Sequence, residues 1–111
     1  MLSIDSLIVN FDRAISALFA PAHAARPSPA ATVEEAPLTP EEKAKSAALL
    51  RVDHSGEICA QALYQGQAWS AGNSALREKL ASAAQEETEH LAWCEQRIAE
   101  LGGRKSFLNP V

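Results

Sequence analysis

Apolar residues near the start of the chain recur at steps of three and four. They mark one face of a helix about 18 residues long, formed by Leu2, Ile4, Leu7, Ile8, Phe11, Ile15, Leu18 and Phe19. The pattern predicts an amphipathic helix within residues 1–20. Three interpretations stay open: this helix docks on the rest of the protein, lies on a membrane surface, or is disordered.

Residues 21–38 are rich in Ala, Pro, Ser and Glu and show no periodicity. Such a stretch cannot bury enough apolar area to order itself. The sequence therefore predicts a disordered linker between the N-terminal helix and the next element.

Two long helices are predicted after the linker. Thr39-Pro40-Glu41-Glu42 is typical of a helix start, with a capping hydroxyl, a proline in the first turn and two acids near the positive helix end. Gly72-Asn73-Ser74 predicts a turn, and a second helix then runs to about Leu101 before Gly102-Gly103. We expect an all-α protein built on an antiparallel hairpin over residues 39–103, with 104–111 as a trailing connection.

Composition narrows the possible functions. The formal net charge is −4, which argues against a nucleic-acid partner, because phosphate binding needs a basic surface. Only 5% of the residues are aromatic, so the core is expected to be small. The apolar stretches are too interrupted for a membrane-spanning helix. Cys59 and Cys94 lie too far apart along the predicted hairpin for a disulfide, and we expect both to be small buried apolar side chains.

Polar residues interrupt the apolar face of each hairpin helix. In the second helix Glu87 and His90 are spaced as Glu-x-x-His beside an apolar stripe. In the first, Glu57 lies in the polar middle of a face that is apolar towards its ends. A turn at 73 or 74 pairs Glu57 with residues 89–91, and Glu87 is about 3 to 6 Å from that level along the helix axis. The three side chains should therefore converge.

Two carboxylates and one imidazole, with no thiolate, suit iron or manganese better than a structural zinc. The alternative is that Glu57, Glu87 and His90 are surface residues of a solvated hairpin. Glu86 and Glu89 point away from the apolar stripe and are interpreted as that solvated surface.

Several segments together carry a family resemblance. They are Arg51-Val-Asp-His-Ser-Gly-Glu57, Gln61-Ala-Leu-Tyr-Gln-Gly-Gln67, Glu86-Glu-Thr-Glu-His-Leu91 and Phe107-Leu-Asn-Pro110. The sequence resembles the bacterial demethoxyubiquinone (3-demethoxyubiquinol) hydroxylases of ubiquinone biosynthesis. The similarity runs from about Thr39 to Val111.

The resemblance implies a ferritin-like four-helix bundle with two irons, each pair of helices supplying half of the ligands. Glu57 would then be a terminal ligand of one iron, Glu87 the bridging carboxylate and His90 the imidazole ligand. Asp53 and His54 would support the ligands from outside, and Tyr64 would line the substrate pocket.

The implied reaction is an O₂-dependent monooxygenation. The substrate is a polyprenyl benzoquinol, the electrons come from a nicotinamide, and the enzyme sits peripherally on the cytoplasmic face of the bacterial inner membrane. Contacts with other ubiquinone-biosynthesis proteins are also implied.

Family members continue for about another hundred residues, and these supply the other ligands. We therefore expect a fragment that is inactive alone and leaves apolar faces exposed. Alternatives are self-association of two hairpins into one bundle, a ferritin-type iron-binding module, or an amphipathic membrane-associated scaffold without chemistry.

Overall fold

The computed structural model describes residues 3–108, including every side chain except those of Ala17 and Leu18. Within that range the protein is all-helical, with α1 (Ile4–Phe19), α2 (Pro40–Ser70) and α3 (Ser74–Glu100). Residues 71–73 join α2 to α3, which pack along each other as a helical hairpin. The predicted all-α hairpin is confirmed, while Leu2 and 109–111 lie outside the described residues.

The hairpin helices begin and end at the residues that the sequence marks. Thr39 accepts a hydrogen bond from the Glu42 N–H at 3.2 Å, and the Glu42 carboxylate accepts one from the Thr39 N–H at 2.8 Å, a complete capping box. Asn73 caps α3 through the Leu76 N–H at 3.2 Å. After α3, Gly102 adopts a φ of 73°, which favours glycine and ends the helix.

Alanines make up half of the buried apolar residues of the hairpin. Its buried apolar members are Ala47, Ile58, Ala68, Ala71, Ala84, Leu91, Ile98 and Leu101. Alanines let the two backbones approach closely but bury little apolar area each. The hairpin therefore has a thin core.

An apolar stripe on the outside of α2 is not covered by any of residues 3–108. Leu49, Val52 and Leu63 are exposed at steps of three and eleven residues, which place them on one face of the helix. The expectation of exposed apolar faces on the hairpin is confirmed. The expectation for Cys59 is wrong: its position on this outer stripe leaves it exposed, and Cys94 is only partly covered.

The apolar face of α1 also stays largely exposed. α1 contacts α2, yet Ile8 and Phe11 are 60% and 70% exposed. Contact with the hairpin therefore uses little of that face. Within residues 3–108, no helix combines the length and the apolar character needed to cross a membrane.

Residues 22–35, which we name the strap, lie along the outer side of α3. The Ala22 N–H donates to Glu95 at 3.2 Å, Arg26 pairs with Glu89 at 2.6 Å, and Glu35 accepts a hydrogen bond from Arg97 at 2.7 Å. No helix forms in this segment. The predicted division of the chain into four segments, with a disordered 21–38, stays a prediction.

A methyl group at Gly103 should destabilise the hairpin. A Cβ there would lie 2.6 Å from the Ala47 Cβ, so the Gly103→Ala variant should lose about 1 to 3 kcal/mol of unfolding free energy by overpacking. Urea unfolding followed by circular dichroism measures this.

The matched control is Gly66→Ala on α2, where nothing lies within 4 Å of the added Cβ. It should gain about 0.5 to 1 kcal/mol, because alanine favours a helix interior over glycine. Equal shifts in the two variants would contradict the close packing of Gly103 on α2.

Candidate metal centre

Glu57, Glu87 and His90 converge on one side of the hairpin. His90 Nδ1 lies 3.2 Å from Glu87 Oε2 and 3.6 Å from Glu57 Oε2. One donor atom from each residue falls within 4.8 Å of the others. The three-residue connection fixes the level of the two helices, and helical periodicity turns all three side chains to one side.

The cluster concentrates negative charge in partly dehydrated surroundings. Burial raises the pKa of Glu57 to about 7, and a hydrogen bond and charge repulsion from Glu87 act in the same direction. The nearby His90 opposes this rise. The fold thus keeps this carboxyl at a position where its charged form is disfavoured. Strongly shifted pKa values of this kind are common at functional sites.

The donor set fits a divalent transition metal. Hard carboxylate oxygens with one imidazole are ligands that iron and manganese accept readily. A cation would compensate the repulsion between Glu57 and Glu87 that His90 alone only partly offsets. The side chains remain 16% to 40% exposed, so the site is also accessible.

The other predicted site residues are not part of this cluster. Asp53 lies one turn before Glu57 and is exposed. His54 is buried and pairs through Nε2 with Glu95 Oε1 at 3.1 Å. Tyr64 lies two turns beyond Glu57 and is half-buried. Their roles around the ligands stay predictions.

Three residues of α3 make contacts that the sequence did not predict. Glu89 is buried and paired with Arg26, so its assignment to the solvated surface is wrong, whereas Glu86 is exposed as expected. Glu95 binds His54, and the mirror relation about the turn could have found this pair. The Trp93 ring packs 5.5 Å from the His90 ring, three residues further along α3.

The hairpin and its carboxylate–imidazole cluster define a class of protein. A Glu from one helix with a Glu-x-x-His pair from the next is half of the ligand set of a ferritin-like dinuclear centre. The family model described as "Ubiquinone biosynthesis protein COQ7" matches residues 44–111. The chain belongs to this family.

Curated relatives agree with the family match. A protein from Nitrosomonas europaea named 3-demethoxyubiquinol 3-hydroxylase is 60% identical over 111 residues, which are 100% of this chain and 53% of the relative. A protein of the same name from an Azoarcus species is 61% identical over 107 residues, or 96% and 52% of the two chains. The chain thus spans about half the length of these relatives. No solved structure gives a significant match.

Proposed function

We propose that this chain supplies half of the dinuclear iron site of a 3-demethoxyubiquinol 3-hydroxylase. The observation that carries the proposal is the convergence of Glu57, Glu87 and His90 within 4.8 Å in a chain of this family. In this proposal Glu57, Glu87 and His90 would hold iron together with ligands from the rest of the protein. A ferritin-type storage module would share the ligands, but the relatives' name favours the hydroxylase.

When bound, iron supplies the activation of O₂ for insertion of one oxygen atom into the quinol ring, with electrons drawn ultimately from a nicotinamide. The protein's own part is to hold the ligands at fixed spacing before the metal arrives. Because the pKa of Glu57 is raised to about 7, this carboxyl is only partly ionised near neutral pH in the metal-free site, and its proton has to leave when a metal binds.

The exposed stripe of Leu49, Val52 and Leu63 supports a half-bundle. In the proposed whole protein two further helices cover such apolar surface and bring the remaining ligands to the open side of the site. Two copies of this chain would present the same ligand types and the same stripe, which is the self-assembly alternative.

Peripheral membrane contact belongs to the same proposal. The polyprenyl substrate is a lipid, and α1 exposes an apolar face that includes Ile8, Phe11 and Phe19. We assign α1 to the cytoplasmic surface of the inner membrane, with Tyr64 near the quinol head group. Asp53 and His54 are assigned to the support of α2 around Glu57.

A chimeric protein tests the function. Residues 1–111 replace the matching half of the Nitrosomonas europaea relative, to which this chain is 60% identical, and the chimera is expressed in a bacterium lacking its own 3-demethoxyubiquinol 3-hydroxylase. We expect ubiquinone to reappear in lipid extracts analysed by mass spectrometry, and the chain alone to produce none.

The control is the same chimera with Glu87→Ala, which should accumulate to a similar level and produce no ubiquinone. A soluble, iron-loaded chimera that produces none, or a Glu87→Ala chimera that is fully active, would contradict the assignment.

A further inference from the structure

Three side chains that the strap contacts form one stripe of α3. Glu89, Trp93 and Arg97 follow one another at steps of four residues, which places them on one side of the helix, whereas the Ala22 contact with Glu95 lies outside this stripe. These contacts bracket His90, the one residue of the candidate metal centre that lies near this stripe. The strap therefore touches α3 on both sides of a proposed ligand.

Trp93 links the strap to His90. Its indole Nε1–H donates a hydrogen bond to the Arg26 carbonyl oxygen at 3.1 Å. Its ring packs against the His90 imidazole with a centroid separation of 5.5 Å and an angle of 41° between the ring planes, within the range of favourable aromatic pairs. The hydrogen bond of the indole N–H thus holds the Trp93 ring on the strap side. On its other side, the ring restricts the orientation of the His90 imidazole.

Arg26 is held independently of that hydrogen bond. Its guanidinium binds the Glu89 carboxylate through Nε at 2.8 Å and Nη2 at 2.6 Å. The Glu89 side chain is only 6% exposed, so without Arg26 its charge would be desolvated with poor compensation. The ion pair therefore holds the Arg26 carbonyl oxygen in position to accept the hydrogen bond from Trp93.

We infer that Trp93, anchored by Arg26 of the strap, is a positioning residue for His90 in the proposed metal site. The rotation of an imidazole about its last side-chain bond is broad and roughly two-fold, and only one of the two orientations presents Nδ1 to Glu57 and Glu87. The Trp93 ring restricts that rotation before a metal binds. The inference rests on the proposed metal site.

Binding of Co²⁺ to the full 111-residue chain tests this inference through affinity and the visible absorption bands of the ion. Trp93→Leu removes the ring and should weaken Co²⁺ binding about 10-fold to 100-fold, the usual effect of losing a group that orients a metal ligand. Trp93→Phe keeps a ring and loses the N–H, so its Co²⁺ affinity should lie between those of Trp93→Leu and the wild type. The Co²⁺ affinity of Arg26→Ala should be close to that of Trp93→Phe.

Trp69 offers the matched control, because it lies at the far end of α2. Trp69→Phe should leave the affinity and the absorption bands unchanged. It also leaves Trp93 as the only tryptophan of this chain, and Co²⁺ should then quench its fluorescence with the same midpoint as the absorption titration.

The inference is overturned if Trp93→Leu retains helicity and binds Co²⁺ with wild-type affinity and wild-type bands. Where Trp93→Leu fails to fold, Trp93→Phe and Arg26→Ala decide: wild-type binding by both folded variants overturns it as well. A wild-type chain that binds no Co²⁺ is a different result, since it contradicts the proposed metal site itself.

Discussion

Replacing Glu57 with Gln should abolish tight metal binding and at the same time stabilise the metal-free hairpin. The variant loses one of the three metal-binding side chains, so we expect the affinity for Fe²⁺ or Co²⁺ to fall at least about 100-fold. This exceeds the loss expected when a residue that only orients a ligand is replaced. It also removes a carboxylate that burial and Glu87 disfavour in its charged form. The unfolding free energy at pH 8 should therefore rise.

These opposite signs separate a ligand from a structural residue. Metal per chain is measured after equilibrium dialysis, and stability by urea unfolding of the metal-free protein. Glu86→Gln is the matched control, because Glu86 is an exposed neighbour of Glu87 and should change neither quantity. A Glu57→Gln variant that is less stable and still binds metal normally would show that Glu57 is structural only.

Metal binding should weaken as the pH falls below neutrality. Since the pKa of Glu57 is raised to about 7, a proton occupies this ligand below that pH and competes with the metal. Each unit of pH below about 7 should cost close to a tenfold loss of affinity from this group alone. Between pH 8 and pH 6 the expected contribution is about tenfold.

The stability of the metal-free protein should change in the opposite sense. The folded state holds the Glu57 proton up to about pH 7, while the unfolded chain releases it near 4.5. The folded state thus binds more protons between these values, so this group's contribution to the unfolding free energy is lost as the pH rises from about 4.5 through 7. Urea unfolding of the metal-free wild type and of metal-free Glu57→Gln at several pH values isolates the effect. The same dependence of the unfolding free energy on pH in both proteins would disprove it.

The level of the ligands along the hairpin follows from the sequence because local rules suffice. The capping box at Thr39 and the cap at Asn73 define where the helices start, and a three-residue connection leaves little freedom in their relative level. Helical periodicity then places Glu57, Glu87 and His90 together, as the structure shows. The site could be predicted because each step spans only a few residues.

The surroundings of the site could not be predicted in this way. Glu89 follows the polar pattern of an exposed helix surface, yet it is buried against Arg26, 63 residues earlier in the chain. The strap has no repeating pattern, so its sequence does not specify which side of α3 it meets. For Cys59 the reverse holds: an apolar residue is exposed because the outer face of α2 has no neighbour among the described residues.

By itself, the sequence determined that this protein is a helical hairpin carrying a carboxylate and a Glu-x-x-His pair at one level. It could do so because helix periodicity, caps and a short turn are local properties. Only the tertiary structure decided that the strap crosses α3 beside His90, with Arg26 neutralising Glu89 and holding Trp93. Such contacts depend on the path of an aperiodic segment, and that path is set by the whole fold.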